Sequence, residues 1–298
     1  MIGVFCGSGD LPLLLIEDLK KNSVKFKVFI IQQIVNVDEV VGKIIDCNIE
    51  KDDIYIVDFM ISKIIKKIKN KKINEIIFVG YVKMPHLRLI SFQKNFPFIS
   101  FNYKFDLMTI KLLLRILKSK MYGDNSLINC LISFLEEFDI KILNIKDIAP
   151  SLINNSNINS INENLSKNYS QYISFGLNLL DDLSKYDVGQ GIVIWQNRVV
   201  GIEGIEGTDE LINRCGNYYK NVDYMVSSGV KMVLIKQNKK NQNTKIDFAT
   251  IGADTIHNMA INNFCGLVIS VNNVLIINRE KVIELIKNHK MFLINSNN

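Results

Sequence analysis

Four short apolar runs in the first half of the chain, Ile2–Cys6, Phe26–Ile31, Ile54–Val57 and Ile76–Val79, constrain its fold most strongly. Runs that are apolar throughout suit strands buried on both faces, which need helices packed over them. The stretches Leu13–Lys21, Phe59–Lys69 and Phe105–Ser119, which lie between or after them, carry apolar residues at helical spacing. That alternating order predicts a parallel sheet with helices on its faces, a Rossmann-like α/β unit. Gly123-Asp124 then reads as a turn and cap before a further helix, Ser126–Phe138.

The second half starts afresh. Tyr169, Tyr172, Ile173, Leu177, Leu180 and Leu183 mark one face of a helix over Ser166–Lys185. A hairpin is expected from Ile192–Trp195 and Val199–Ile205 around Gln196-Asn197. Strands follow at Lys231–Ile235, Leu267–Val271 and Val274–Ile277, with helices at Leu211–Cys215, Asp254–Asn263 and Arg279–Asn288. This is a second α/β unit. Six of the eleven residues from Asn154 to Asn164 are Asn, which reads as a linker or loop near the boundary. The expected domains are 1–145, Rossmann-like, and 146–298, a second α/β domain.

Composition removes several function classes. At 298 residues, 48% hydrophobic and 22% charged, the chain has material for two soluble globular domains. A net charge of +6 is too mild to argue for nucleic acid. Cys6, Cys47, Cys130, Cys215 and Cys265 are scattered and form no C-x-x-C pair, so neither a zinc site nor a disulfide framework is expected. The N-terminus lacks a basic n-region, and no apolar run reaches spanning length without a charge or repeated Asn breaking it. The expected location is the cytoplasm, with peripheral contact to a membrane as an extension of that reading.

Two glycine loops follow strands of the first unit. In Gly7-Ser8-Gly9-Asp10-Leu11-Pro12 the glycines let backbone N–H groups approach a phosphate at a helix N-terminus. Pro12 stands where a dinucleotide fingerprint needs its third Gly, and the second strand ends at Gln32-Gln33 rather than a ribose-binding acid. Nucleotide binding is favoured over NAD; a tight turn between strand and helix is the plain alternative. Gly80-Tyr81-Val82-Lys83-Met84-Pro85 ends another strand of that sheet and could share the ligand, or be an ordinary strand exit.

Acidic residues gather in the second half. In Gly201-Ile-Glu-Gly-Ile-Glu-Gly-Thr-Asp-Glu210, Thr208 and Asp209 are explained as the cap and first turn of a helix. Glu203 and Glu206 are not, and bunched carboxylates beside glycines suit Mg²⁺. Asp187-Val-Gly-Gln-Gly191 precedes the hairpin, and Gln190 could reach a ligand. Asp247 lies before Gly252 and the helix near Asp254; it could hold Mg²⁺ or activate water, or be a solvated strand-end acid. Asp254 reads as a helix cap. The three histidines form no metal-binding pair. The Lys-rich run Lys63–Lys72 reads as the solvated face of an amphipathic helix, with an anionic membrane surface as the lesser reading.

The ordered set Gly7-Ser-Gly-Asp-Leu-Pro12, Gly80-x-Val-x-x-Pro85, Gly123-Asp124, Asp187-x-Gly-Gln-Gly191, Glu203-x-x-Glu-Gly-Thr-Asp209 and Asp247-x-x-x-Ile-Gly-x-x-Thr255 runs nearly end to end. It resembles the two-domain UDP-2,3-diacylglucosamine pyrophosphatases of α-proteobacteria and some other bacteria, a family unrelated to the metallophosphoesterases that perform the same reaction. The resemblance implies hydrolysis of an amphiphilic nucleotide-sugar lipid to UMP and 2,3-diacylglucosamine 1-phosphate in lipid A biosynthesis. It further implies dependence on Mg²⁺ and a ligand enclosed between two α/β domains. The family's catalytic aspartate falls on Asp247. Substrate contacts are implied for Gly7, Gly9, Asp10, Leu11, Gly80, Tyr81, Val82, Gly123, Asp124, Gln190, Gly207, Thr208, Lys245, Thr250, Gly252 and Thr255, and metal contacts for Asp247, Glu203 and Glu206. The family often has Arg where this chain has Met84, and its Gln-Asp-x-Arg and Pro near Asp247 read Gln242-Asn243-x-Lys245 and Ala249 here. A homodimer is compatible with the pattern. The competing classes are an NAD-dependent oxidoreductase and a non-catalytic nucleotide-sugar or lipid sensor.

Overall fold

Every residue of β1 (Ile2–Cys6) is buried, as a strand covered on both faces must be. It lies in the middle of a parallel sheet with β2 (Phe26–Ile31), β3 (Ile54–Val57), β4 (Glu75–Val79) and the short β5 (Lys141–Ile142). The order is β3-β2-β1-β4-β5. In register, Val4 faces Val28 on one side and Ile77 on the other. The computed structural model describes residues 1–32, 35–81, 106–118, 124–152, 160–186, 188–237, 249–270 and 274–296. The chain divides into two compact units, Met1–Ala149 and Pro150–Asn298.

In the first unit, α1 (Leu11–Lys21) begins at the end of β1, with Pro12 in its first turn and Leu15, Ile16 and Leu19 fully buried. Proline is tolerated there because the first-turn N–H groups have no intrahelical acceptor. α2 (Val37–Asp46) escaped the periodicity reading because only Val40 and Ile44 are buried in it. α3 (Ile61–Asn70) buries Ile61, Ile64, Ile65 and Ile68 and exposes its lysines. α4 (Leu107–Lys118) and α5 (Asp124–Glu136) lead to β5, followed by the single-turn α6 (Ile145–Ile148). Phe5 stacks on Phe29 at 4.9 Å between ring centroids, tying β1 to β2 within the core.

One side chain joins the first turns of α3 and α4. Asp106 accepts from the Thr109 N–H and hydroxyl at 2.7 Å each, and from the Ser62 N–H at 2.9 Å and the Ser62 hydroxyl. Thr109 in turn accepts from the Ile61 N–H at 3.0 Å. Partial burial raises the pKa of the Asp106 carboxyl, but the bonds from Ser62 and Thr109 outweigh it and hold the value below the ordinary 3.8. A depressed folded-state pKa means that this contribution to stability is complete above the unfolded value and is lost as pH falls through the folded one. Asp106→Ala is expected to cost about 2–3 kcal/mol, since a cap and two charge-assisted bonds go together. Calorimetric melting between pH 7 and pH 3 checks it: the gap between wild type and variant should narrow toward acid.

The second unit opens with the short α7 (Glu163–Ser166) and then α8 (Ser170–Leu183). Its main sheet comprises β6 (Gly191–Trp195), β7 (Arg198–Ile202), β8 (Met232–Lys236), β10 (Phe264–Ser270) and β12 (Phe292–Ser296), in the order β12-β10-β8-β6-β7. β6 runs antiparallel to both its neighbours, so the expected hairpin with β7 is present. β9 (Ala249–Ile251) pairs separately with β11 (Val274–Ile276). Ile173 and Leu180 of α8 pack on Ile192, Ile194, Val233 and Ile235. The larger core cluster brings in α9 (Gly207–Lys220), α10 (Asp223–Ser228), α11 (Ala253–Ile261) and α12 (Arg279–Asn288). Gly176 has a packing cause: a Cβ there would run into Ile235 and Ile194.

Both units are α/β, and the first carries the expected parallel sheet. The strand signals are strong where runs are wholly apolar; the short β5 and β9, and β12, are not among the strands expected from the sequence. All five cysteines are free. No helix among the described residues is long and apolar enough to cross a membrane.

Candidate functional site

In the first sheet the chain passes from β1 to β2 on one side and returns to β4 on the other. The order therefore reverses between the carboxyl ends of β1 and β4, where open α/β sheets leave a crevice for ligands. Gly7 follows β1 there and Gly80 follows β4. The two loops are stitched together: Gly7 N–H donates to Val79 O at 2.7 Å, Ser8 N–H to Tyr81 O at 2.7 Å, and Tyr81 N–H to Ser8 O at 2.8 Å. A Cβ on Gly7 would lie 2.5 Å from the Tyr81 carbonyl oxygen, so only glycine fits. Gly80 has φ +89°, and its Cβ would meet Pro12 and the Ser8 carbonyl at 2.8 Å.

Close packing thus explains Gly7 and Gly80 without a ligand, but it does not explain Gly9. Gly9 has φ +91°, and no heavy atom lies within 4 Å of where its Cβ would be. Among the described residues, the N–H groups of Gly9, Asp10 and Leu11 make no hydrogen bond. They sit at the tip of α1, where the helix dipole favours an anion. Tyr81 beside them is exposed. Gly7→Ala is expected to unstitch the loops and weaken binding of a nucleoside diphosphate about tenfold or more, since backbone must move. Titration calorimetry with UDP reads the effect; unchanged affinity would remove these loops from the binding site.

The acidic run of the second unit forms a different site. Because β6 is antiparallel to β8, the start of β6 meets the end of β8, with Gly191 opposite Lys236 and Gln237 N–H bonded to Gln190 O at 3.0 Å. The end of β7 reaches the same edge: Glu203 N–H donates to Gly191 O at 2.8 Å, and Gly189 N–H to Glu203 O at 3.0 Å. A Cβ on Gly189 would collide with the Glu203 backbone, which accounts for that glycine. Glu203 is buried and meets two groups. The Thr208 hydroxyl donates to its Oε1 at 2.8 Å, and Lys236 Nζ lies 3.4 and 3.5 Å from its two oxygens. Lys236 Nζ also donates to Thr208 Oγ1, closing a triangle of ammonium, carboxylate and hydroxyl. Lys236 is only 3% exposed, so these partners take the place of water around its ammonium.

Lys236 was not among the residues singled out from the sequence. The signal was present in Met232-Val-Leu-Ile-Lys236, a charge closing an otherwise apolar strand, but the expected strand stopped at Ile235. Glu206 is held separately, accepting from Arg214 Nε at 3.1 Å and Nη2 at 2.9 Å. Its own backbone N–H first, then Arg214 and the Gly204 N–H, hold its carboxyl below the ordinary value against partial desolvation. Magnesium prefers oxygens that are not already neutralised by a cation. Glu203 and Glu206 each already face one. Among the described residues no three His, Cys, Asp or Glu converge on a metal position.

Two helix caps expected from the sequence are corrected. Glu206 is the N-cap of α9, and Thr208 lies within the first turn with its hydroxyl turned to Glu203. The helix begins at Gly207, two residues before the expected Asp209, and Gly207 itself takes φ +82°, which glycine allows. Gly252 is the N-cap of α11, and Asp254 lies in its first turn. Thr255 is buried on α11 and Thr250 is in β9. Asp124 begins α5. Val82, Gly123, Asp187, Lys245 and Asp247 lie outside the described residues.

Comparison with known families covers both units. The LpxI N-terminal domain matches residues 1–152, and the LpxI C-terminal domain matches residues 159–294. A stretch of 111 residues is 32% identical to the UDP-2,3-diacylglucosamine pyrophosphatase LpxI of Caulobacter vibrioides. That stretch spans 37% of this chain and 39% of the relative, less than half of either. The two domain matches, in contrast, leave few residues uncovered. The chain belongs to the LpxI family.

Proposed function

We propose that this protein hydrolyses the pyrophosphate bond of UDP-2,3-diacylglucosamine, giving UMP and 2,3-diacylglucosamine 1-phosphate, as a cytoplasmic step of lipid A biosynthesis. The observation that carries the reading is the anion-ready tip of α1, Gly9 to Leu11, in a chain whose two halves both match the family. A pyrophosphate needs its charge neutralised and its water aligned before the bridging bond breaks. In the first unit, the N–H groups of Gly9, Asp10 and Leu11 would hold phosphate oxygens, with Tyr81 against the nucleoside.

In the second unit, Lys236 is the buried cation available to meet charge developing on phosphate, oriented by Glu203 and Thr208. The first-turn N–H groups of α9 from Thr208 onward offer a second anion site at a helix N-terminus, the Gly207 N–H being bonded to Gly204 O. Asp247 is proposed as the catalytic carboxylate, orienting the attacking water, and Gln190, Lys245, Thr250, Gly252 and Thr255 as substrate contacts. The proposal includes Mg²⁺, which would neutralise adjoining phosphate charges; no step here is routed through it. Glu203 and Glu206 enter as counterions of Lys236 and Arg214. UMP release measured with Mg²⁺ and with EDTA tests the reading. Turnover that stops on chelation supports it, and turnover indifferent to EDTA would remove the metal from it.

A further inference from the structure

The first unit carries a further exposed surface, away from the two glycine loops in sequence. On α4, Leu107 is 85% exposed, Ile110 41% and Leu114 51%. Their spacing puts all three on one stripe of the helix, while Leu112 and Thr109 face inward. Large apolar side chains repeated along one exposed helix face mark an interaction surface. Beside that stripe runs the basic face of α3. The segment Ile61–Ile73 holds Lys63, Lys66, Lys67, Lys69, Lys71 and Lys72 and no acidic residue.

The two helices lie in one layer. The connections from β3 to β4 and from β4 to β5 step the same way across the sheet, and right-handed crossovers then put α3, α4 and α5 on one side of it. α3 packs on α4, and Asp106 and Thr109 tie their first turns together. Of the nearby acids, Asp58 is paired with Lys63 and Glu137 with Arg115 and Lys111, while Asp139 lines the same shallow pocket as Lys69 and Lys72. Lys67 and Lys71 lie over the Tyr55 ring at 4.7 and 5.0 Å. Among the described residues, Lys66, Lys69 and Lys72 form no ion pair and are exposed.

We propose that the α3–α4 face docks the protein on an anionic phospholipid surface, the apolar stripe of α4 entering the headgroup boundary and the α3 lysines meeting lipid phosphates. Charge complementarity selects this occupant: a soluble apolar partner would use the stripe but leave the adjoining cations without counterions. Apolar insertion and cationic attraction are the two terms that together bind an interfacial helix. The benefit to a diacylated substrate rests on the preceding reading; the docking itself does not.

Co-sedimentation of the full chain with vesicles tests it. Wild type should partition into vesicles containing phosphatidylglycerol and remain in solution with phosphatidylcholine alone. Each lysine near an anionic surface is worth about a fivefold gain, so Lys66→Gln/Lys69→Gln/Lys72→Gln should weaken partitioning by about a hundredfold. Leu107→Gln/Ile110→Gln/Leu114→Gln should weaken it similarly and leave the remaining binding more sensitive to salt. UMP release from substrate in detergent micelles, measured on the same variants, should be unchanged. Absence of micellar turnover in wild type would strike the hydrolase reading alone. No vesicle binding, equal binding to neutral vesicles, or a wild-type dimer made monomeric by the stripe substitutions without loss of vesicle binding would each overturn the docking face.

Discussion

Lys236→Met is expected to destabilise the second unit by about 3–5 kcal/mol, because it leaves the buried Glu203 carboxylate without its cation. The loss should appear as a lower midpoint in urea with an unchanged slope. Turnover should fall as well, but a fall in a destabilised enzyme has two readings. The double variant Lys236→Met/Glu203→Gln separates them, since a neutral pair of similar volume removes the buried charge. If Lys236 meets substrate phosphate, the double variant regains stability while kcat stays depressed by about 10²–10³-fold, the usual effect of removing one transition-state donor. If the triangle with Thr208 is only structural, stability and kcat return together, and Lys236 leaves the mechanism.

Asp247→Ala is the other large effect. Loss of a positioned general base or water-orienting carboxylate typically costs about 10²–10⁴-fold in rate, and that drop should fall on kcat with KM little changed. Thermal stability should stay near that of wild type. Asp247→Asn should be nearly as inactive, because the amide keeps the shape and loses the charge. Full turnover in either variant would remove Asp247 while leaving the proposed reaction standing.

The two variants also mark what the sequence could carry. Strands such as β1 and β8 were legible because unbroken apolar runs have few ways to be buried. The glycine loops were legible as loops, but the reason for Gly7, a Cβ that would strike the Tyr81 carbonyl, needs strands 73 residues apart brought side by side. The acidic run was read as a metal-friendly corner. Its carboxylates face Lys236 and Arg214, one from another strand and the other about two turns along α9. The charge that closes β8 is visible in the sequence, but its pairing with Glu203 is set by the sheet and is not. Thr208 shows the same limit: its type and position suit a cap, and only the fold turns its hydroxyl to Glu203. The exposed stripe on α4 was likewise hidden, since periodicity gives an apolar face but not which side of the layer it lies on.

The central claim is that the bond broken is the phosphoanhydride. Incubation of purified protein with UDP-2,3-diacylglucosamine and Mg²⁺, followed by mass spectrometry of both products, tests it most directly. The account expects UMP and 2,3-diacylglucosamine 1-phosphate in equal amounts, formed by wild type and not by Asp247→Ala. Release of UDP with a diacylated sugar lacking phosphate, or tight binding with intact substrate at the end, would contradict it.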